Sequence, residues 1–556
     1  MDHSTVEKNQ YGSHDVEVTK THSMTGWHEI DLSGGNQLER GLKSRHIQFL
    51  ALGGAIGTGL FIGSGAILNT VGPAPLLMAY LCMMLLVWNV MNCLAEMVTY
   101  LPLKGISIPY FVNRFVDDSL AFAAGYNYWY AYAILVAAEA SAGAIILSYW
   151  APKVSAGVWI AIFLVLVLAL NIIAVSFFGE AEFWFASIKL ITIIGLIILG
   201  IVLMLGGGPN RDRLGFRYYK YQNGYGAFNE YLVPGNTGKF LAFWTAFSRA
   251  GFAFITSPEL IAISAGETIA PRRNIPKAAR RFIYRLAVFY GLGSFVIGVI
   301  VPSNDGALLG AGNASASPFV LGIKNAGIEG LDHVINAAVL TSAWSAGNAF
   351  LYSGSRVLFS MALSGQAPGF LKRTTKRGIP FAAVLTTWAV GLLAFLTLSE
   401  TGSTVFQWFS NISTISGFIA WIIVMFTYLQ FRKAMEYNQM LHVLPYKTKL
   451  QPYATWATLF ILIILTLTNG FQVFFPENWQ VSSFIAAYVT IPIFLVLYLG
   501  HKLYSGKKQG FRNISWARKV HEIDVLYGKR EMDELEAMDV PPVPKNLLQK
   551  MWFWVA

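Results

Sequence analysis

The chain has 556 residues, of which 55% are apolar and only 13% charged, and its mean hydropathy is +0.50. A soluble domain carries about 25% charged residues, so the composition excludes a soluble globular protein and points to a polytopic membrane protein. The formal net charge of +11 lies mainly outside the apolar runs, where it reports on topology and gives no reason to expect a nucleic-acid partner.

Residues 1–45 are polar, contain no apolar signal region and read as a cytoplasmic tail. A transmembrane helix needs about 20 apolar residues. Twelve stretches meet that need, at 47–71, 75–99, 120–149, 156–176, 183–206, 239–265, 282–302, 332–362, 380–399, 404–430, 455–475 and 481–503. The third and eighth are long and contain small polar residues, a composition suited to spans that line a polar path. Cys82 and Cys93 share the second run and read as small core residues, without a disulfide framework.

Lys and Arg in short loops set the orientation. Arg272, Arg273, Lys277, Arg280 and Arg281 follow span six. Lys372, Arg373, Lys376 and Arg377 follow span eight, and Arg432, Lys433, Lys447 and Lys449 follow span ten. These alternate loops, with Lys43 and Arg45 ahead of span one, are assigned to the cytoplasm, so both termini lie inside. The loop after span five runs against the pattern, because Arg211, Arg213, Arg217 and Lys220 must then be external. No HExxH, GxSxG or Walker glycine loop occurs, so neither an enzyme nor a cofactor or metal site is expected. His333 lies at a span edge and gives no support for a histidine proton relay.

Span one contains GGAIGTGLFIGSG, residues 53–65. Each glycine costs a helix interior about 1 kcal/mol relative to alanine. One reading is close helix packing, for which Gly53 to Gly57 and Gly59 to Gly63 have the spacing. The other is a helix break whose bare backbone forms a binding site. Span six favours the second. There, in FSRAGFAFITSPELIAISAGE, residues 247–267, Pro258 follows Thr256 and Ser257 and removes a helix donor in mid-span. The two interrupted spans stand five apart, in equivalent positions of two five-span halves, the pattern of an inverted-repeat transporter.

Half-helix N-termini offer free N–H groups to an anion, and half-helix C-termini and unwound carbonyls attract a cation. A zwitterion uses both ends, and an amino acid is the simplest such ligand. Gly57, Thr58 and Gly59 would hold its carboxylate, and carbonyls around Ala253 to Ser257 its amine. The expected fold is all-α, with twelve transmembrane helices in a five-plus-five inverted repeat whose helices one and six are broken. Residues 46–430 form the transport core, 431–503 two additional spans, and 504–556 a cytoplasmic tail.

The glycine run, with LAEM at 94–97, NRFVDDSLAFAAGYNYW at 113–129 and SAGETIAPRRNIPKAARRFIYR at 264–285, resembles the fungal amino-acid permease family of the amino acid–polyamine–organocation superfamily. The resemblance runs from about Leu42 to about residue 500. It implies proton-coupled amino-acid uptake in the plasma membrane, on a five-plus-five core with two added spans. Where the family often carries Gly-Thr-Glu in span six, this chain has Ser257-Pro258-Glu259, a form similar to the proline-permease branch. Many members end in Phe-Trp-Cys, a lipidation site, whereas this chain ends FWVA.

Glu139 sits in the middle of span three, where a carboxylate is costly and functional by default; the alternative is a structural hydrogen bond to a neighbouring span. The resemblance sets it beside the substrate, to shape the amine side or carry the coupling proton. Lys189 of span five either snorkels to the interface or, as the resemblance implies, stands where sodium-driven relatives hold sodium. Arg249 either pairs with Glu139 or lines the external vestibule. Phe252 and Phe254 flank the break as core or as gates, and the resemblance favours Phe252 as a lid. Ser257 belongs to the same break, and Trp344, with Ser345, walls the pocket or packs the bundle. Glu96, Glu259, Glu267 and Arg356 read as structural or gating residues, with Glu96 and Glu267 near the basic loops.

In the tails, Lys8 and Lys20 are solvated lysines or, as the resemblance implies, targets of ubiquitin ligase machinery. Lys507, Lys508, Arg512, Arg518 and Lys519 suit a membrane-surface contact. Asn313 heads an external glycan sequon, whereas those at Asn411 and Asn513 fall in a span and in the cytoplasmic tail. The expected activity is proton symport of proline or other neutral amino acids, with the bilayer as setting. The competing readings are an amino-acid sensor with a permease fold and a broad-range or basic amino-acid permease.

Overall fold

The computed structural model describes residues 57–102, 108–173, 175–221, 224, 226–259, 270–308, 317–375, 378–400, 402–509 and 515–526, with single positions at 529, 533, 536, 537 and 546. Lys8, Lys20, Lys43, Arg45, Gly53, Gly54, Glu267, Lys376, Arg377, Arg512, the sequons at Asn313 and Asn513, and the FWVA end lie outside the described residues. Among the described residues there are helices and no strands.

In chain order these are α1 (Gly59–Val71), α2 (Pro73–Tyr100), α3 (Ile108–Phe115), α4 (Asp118–Leu147), α5 (Ala156–Ile173), α6 (Val175–Leu205) and α7 (Gly235–Phe254). They continue as α8 (Pro271–Ile300), α9 (Pro318–Asn325), α10 (Leu331–Leu363), α11 (Phe381–Leu398), α12 (Gly402–Tyr437), α13 (Tyr453–Thr468), α14 (Val481–Tyr488) and α15 (Thr490–Gln509). Among the described residues, eight helices are long and apolar enough to cross a membrane, or nine if α14 and α15, bent by 46° at their junction, make one span. Spans one, four and six of the twelve expected from sequence correspond to α1, α5 and α7, which fall short of that length or hydropathy. The amphipathic α3 was not among the expected elements.

The boundaries follow local chemistry. Gly72 takes φ +87°, and Pro73 then opens α2 at a position where its missing N–H costs nothing. Asp117 caps α4 by accepting the N–H groups of Ser119 and Leu120, each at 3.2 Å. Both α1 and α8 contain a π-helical turn, at Gly59–Gly63 and Ala287–Leu292.

The break in span six is real but differently placed. Helix α7 ends at Phe254, Ile255 is extended at ψ 142°, and Thr256 takes φ +69°. A β-branched residue in that left-handed region costs about 1–3 kcal/mol. Helical geometry resumes at Ser257, so Pro258 sits in a first turn that tolerates it. The sequence-based idea that Pro258 removes a donor in mid-helix is corrected: the interruption is at Ile255 and Thr256, and Pro258 helps to start the helical turn that opens at Ser257.

Helix α4 packs against α10, α12, α5 and α15, while α1 and α2 pack against α7, and α2 against α8. The crossing of α1 and α7 is tight: a Cβ at Gly59 would stand 2.7 Å from Ala253 Cα. On the far side of α7, a Cβ at Gly251 would stand 2.5 Å from the Phe418 ring of α12. In the loop after α6, Arg217 makes two bonds to Asp212, at 2.7 and 2.6 Å, and these hold the Asp212 carboxyl below its usual range. One cation of that anomalously basic loop is thereby neutralised.

Gly59→Ala is expected to cost about 1–3 kcal/mol through overpacking, read as a lower thermal unfolding midpoint of the purified protein in detergent. Gly63→Ala, whose Cβ meets only Phe252 at 4.0 Å, is expected to leave that midpoint in place.

Candidate functional site

Thr58 and Glu139 are 0% and 2% exposed, and Thr58 Oγ1 donates to Glu139 Oε1 at 2.9 Å. Gly57 lies beside the same oxygen, which would be 3.7 Å from a Cβ there. The other carboxyl oxygen, Oε2, has no hydrogen-bond partner among the described residues. A buried polar atom without a partner is costly, so Oε2 is suited to a proton or to a cationic ligand. On α10, Gly347 lets the backbone come close to Glu139, with a notional Cβ 3.5 Å from Glu139 Cβ. Lys189 of α6 is 1% exposed and lies within electrostatic reach of Glu139. It is enclosed by protein, and the snorkelling alternative is set aside.

One residue beyond Thr58, Gly59 touches Ala253 in the last turn of α7. The carbonyls expected there for an amine are partly occupied. Tyr290 OH donates to Ala253 O at 2.7 Å, and Ser257 Oγ donates to Phe254 O at 2.7 Å. Each carbonyl retains a second lone pair. Phe254 is fully buried and stacks on Tyr290 at 4.2 Å, with Tyr80 5.8 Å away. Its position is that of a core residue behind the break. Phe252 is 8% exposed, lies near Gly63 and meets Phe406 of α12 edge-on at 5.5 Å. It therefore bridges α7 and α12 beside α1.

Other expected residues fall further off. Arg249 is half-buried and donates to Thr70 Oγ1 at 3.3 Å. Thr70 is twelve residues beyond Thr58, about 18 Å along a helix, so Arg249 stands away from the Thr58–Glu139 pair. Trp344 faces α6, with its ring 6.1 Å from Phe185, one turn from Lys189. Arg356 lies over the Tyr352 ring at 4.0 Å. Glu96 accepts Tyr428 OH at 2.6 Å, and the Thr448 N–H and hydroxyl at 2.7 and 2.5 Å, so it fastens α2 to α12 and to the loop after it.

Sequence reasoning read Glu259 as structural or gating but passed over the two tyrosines near it, Tyr128 and Tyr132. Glu259 is 2% exposed, and among the described residues its Oε2 has no hydrogen-bond partner; the same holds for Tyr128 OH and Tyr132 OH. Tyr128, Tyr132 and Glu139 recur at four- and seven-residue spacing along α4, a polar stripe on one helix face. That stripe was the available signal. Glu139 of α4, against the start of α1, and Glu259, just past the break, are thus two buried carboxyl groups that each have an oxygen without a hydrogen-bond partner among the described residues.

A model of the amino acid permease family matches residues 46–513. The chain is 56% identical over 522 residues to a proline-specific permease of Emericella nidulans, covering 93% of each. It is 48% identical to a proline-specific permease of Saccharomyces cerevisiae, over 95% of this chain and 84% of that one. Identity to the dicarboxylic amino acid permease of the same yeast is 39%, over 84% and 77%. Among solved structures, a nucleobase-cation-symport-1 family transporter in a closed conformation is similar at 16% identity and a TM-score of 0.45, over 83% and 94%. The chain belongs to the amino acid permease family.

Proposed function

We propose that this permease takes up proline, with other neutral amino acids behind it, by symport with protons across the plasma membrane. It does so through twelve spans in a five-plus-five inverted repeat with both termini in the cytoplasm. The observation that carries the reading is the buried Thr58–Glu139 pair beside the end of a broken helix. The 56% identity to a proline-specific permease supports the choice of substrate.

In this scheme the N–H groups at Gly57 to Gly59 take the carboxylate. Glu139 Oε2 takes the amine or the coupling proton. Proline's secondary amine has one fewer N–H than a primary amine, which suits the enclosed space near Phe252. Lys189, buried near Glu139, links proton movement to closure. Arg249, at the Thr70 end of α1, disfavours cationic substrates on approach. Substrate enters from outside and leaves after the group around α1 and α7 rocks inward.

Labelled proline uptake in cells stripped of their own permeases tests this. Uptake should be concentrative, rise at acid pH and collapse with a proton uncoupler; proline that neither accumulates nor competes would sink the substrate assignment.

Glu139→Gln preserves an acceptor for Thr58 but removes the charge, and should lower uptake about tenfold or more. Thr58→Val should act similarly, while Thr58→Ser keeps most activity. Lys189→Met should retain proline binding and lose the acid stimulation. Equal activity of all four variants and the parent would remove these residues from the mechanism.

A further inference from the structure

Past α15 the chain turns back across the end of the bundle that carries α3. Lys502 is buried, pairs with Asp117 at 2.7 Å and donates to Ser515 O at 2.6 Å. Arg518 is the main anchor. Its backbone N–H donates to Val116 O at 2.7 Å, its Nε to Asn113 O at 2.9 Å, and its Nη2 to Asp118 Oδ1 at 2.6 Å. Arg114 of α3 answers with two bonds to Asp524 O, at 2.9 and 2.8 Å. Ile523 and Val525 are 5% and 2% exposed, joined to the main core.

Further on, the same segment meets another set of helices. Tyr100 OH, at the end of α2, donates to Val525 O at 3.0 Å. Arg272, in the first turn of α8, pairs with Asp533 at 2.6 Å and Glu536 at 2.8 Å, and its Nη2 donates to Tyr100 O at 3.2 Å. The two ends are held differently. Main-chain acceptors and buried side chains fix the tail to α3 and α4. At α8, the Asp533 and Glu536 carboxyl groups are 43% and 57% exposed to water and salt, on an Arg272 side chain that is 8% exposed.

Helices α2 and α8 pack with each other, and α2 packs on α7; α4 packs on α10 and α5, while α12 touches both sets. The tail therefore bridges the group around the broken α7 and the group around α4. If the protein is an alternating-access transporter, as proposed above, these groups must part for the Thr58–Glu139 site to open toward this face.

We propose that residues 515–526, with Asp533 and Glu536, form a strap that holds this end shut, with Arg272 as the catch that lets go each time the site opens inward. Arg518 and Asp524 stay on α3 and α4 while α8 swings away. The C-terminal tail is then part of the gate. A tail that merely decorates the surface would need neither a buried Arg114 nor a bond to the end of α2.

The test uses the full chain carrying Arg272→Cys with Asp533→Cys, Cys82 and Cys93 being left in place, and the two single variants as controls. A reducible bis-thiosulfonate linker joins the pair. Linking should lower proline uptake about tenfold or more, with recovery on reduction and no loss of proline binding from outside. Asp533→Asn with Glu536→Gln should open the catch and speed efflux from preloaded cells about two- to fivefold, the range of a partly exposed ion pair. Undiminished transport by the linked protein, or unchanged efflux in the neutral variant, would overturn the strap. The neutral variant decides the matter if the cysteine pair does not reach the surface. Absence of concentrative uptake by the unmodified chain would instead strike at the transport reading, since the strap is judged only against a working parent.

Discussion

A carboxyl group in the middle of a membrane span has to be answered by something, and much of this structure depends on how Glu139 is answered. Thr58 supplies the hydrogen bond, so the start of α1 must lie against α4. The start of α1 must also cross α7, and Gly59 makes room for Ala253 to do so. Two glycines of the run have different neighbours. Gly59 serves close packing, and Gly57 leaves backbone beside the carboxyl oxygen. Burial of Glu139 is eased at the one oxygen that Thr58 pairs, and among the described residues the other has no hydrogen-bond partner.

Much of this was legible in the residues. Long apolar runs mark helices because a span needs a minimum length of hydrocarbon, and Glu139 and Lys189 stand out because ionisable residues are rare there. The place of the break in span six was not legible. Pro258 looked like its cause, yet the chain leaves the helix at Ile255 and Thr256. The ends it exposes are satisfied by Tyr290 of α8 and by Ser257. A partner 37 residues away leaves no local trace. For the same reason the separation of Arg249 from Glu139 was not legible, since it rests on the contact with Thr70. The helix α3 and the docked tail were missed because each is too short to show as an apolar run of span length, and they hold together through pairs such as Arg518 and Asp118, 400 residues apart.

The end of the bundle that carries α3 is fastened twice, by unlike chemistry. Glu96 is wholly buried and tied to Tyr428 and Thr448. Breaking that knot would strand a buried carboxyl group without partners, which makes it a lasting joint between α2 and α12. At the Arg272 contacts water reaches the Asp533 and Glu536 carboxyl groups, which are 43% and 57% exposed, although the Arg272 side chain is itself 8% exposed. The two joints differ in solvent access on the carboxyl side.

The π-helical turn at Gly59–Gly63 bears on how the chain tolerates change in length. Such a turn is an α-helix that has taken up one extra residue. Losing a residue there would let ordinary α-helical bonds re-form, so the helix would survive. The widened turn absorbs the extra residue, so Ser64 to Val71 would keep nearly the same facing relative to Thr58. Ile67, Leu68 and Val71 would still face the core. The stretch between the Thr58 end of α1 and its packed end therefore accommodates a one-residue change in length that an ordinary α-helix would pass on as a rotation of about 100°.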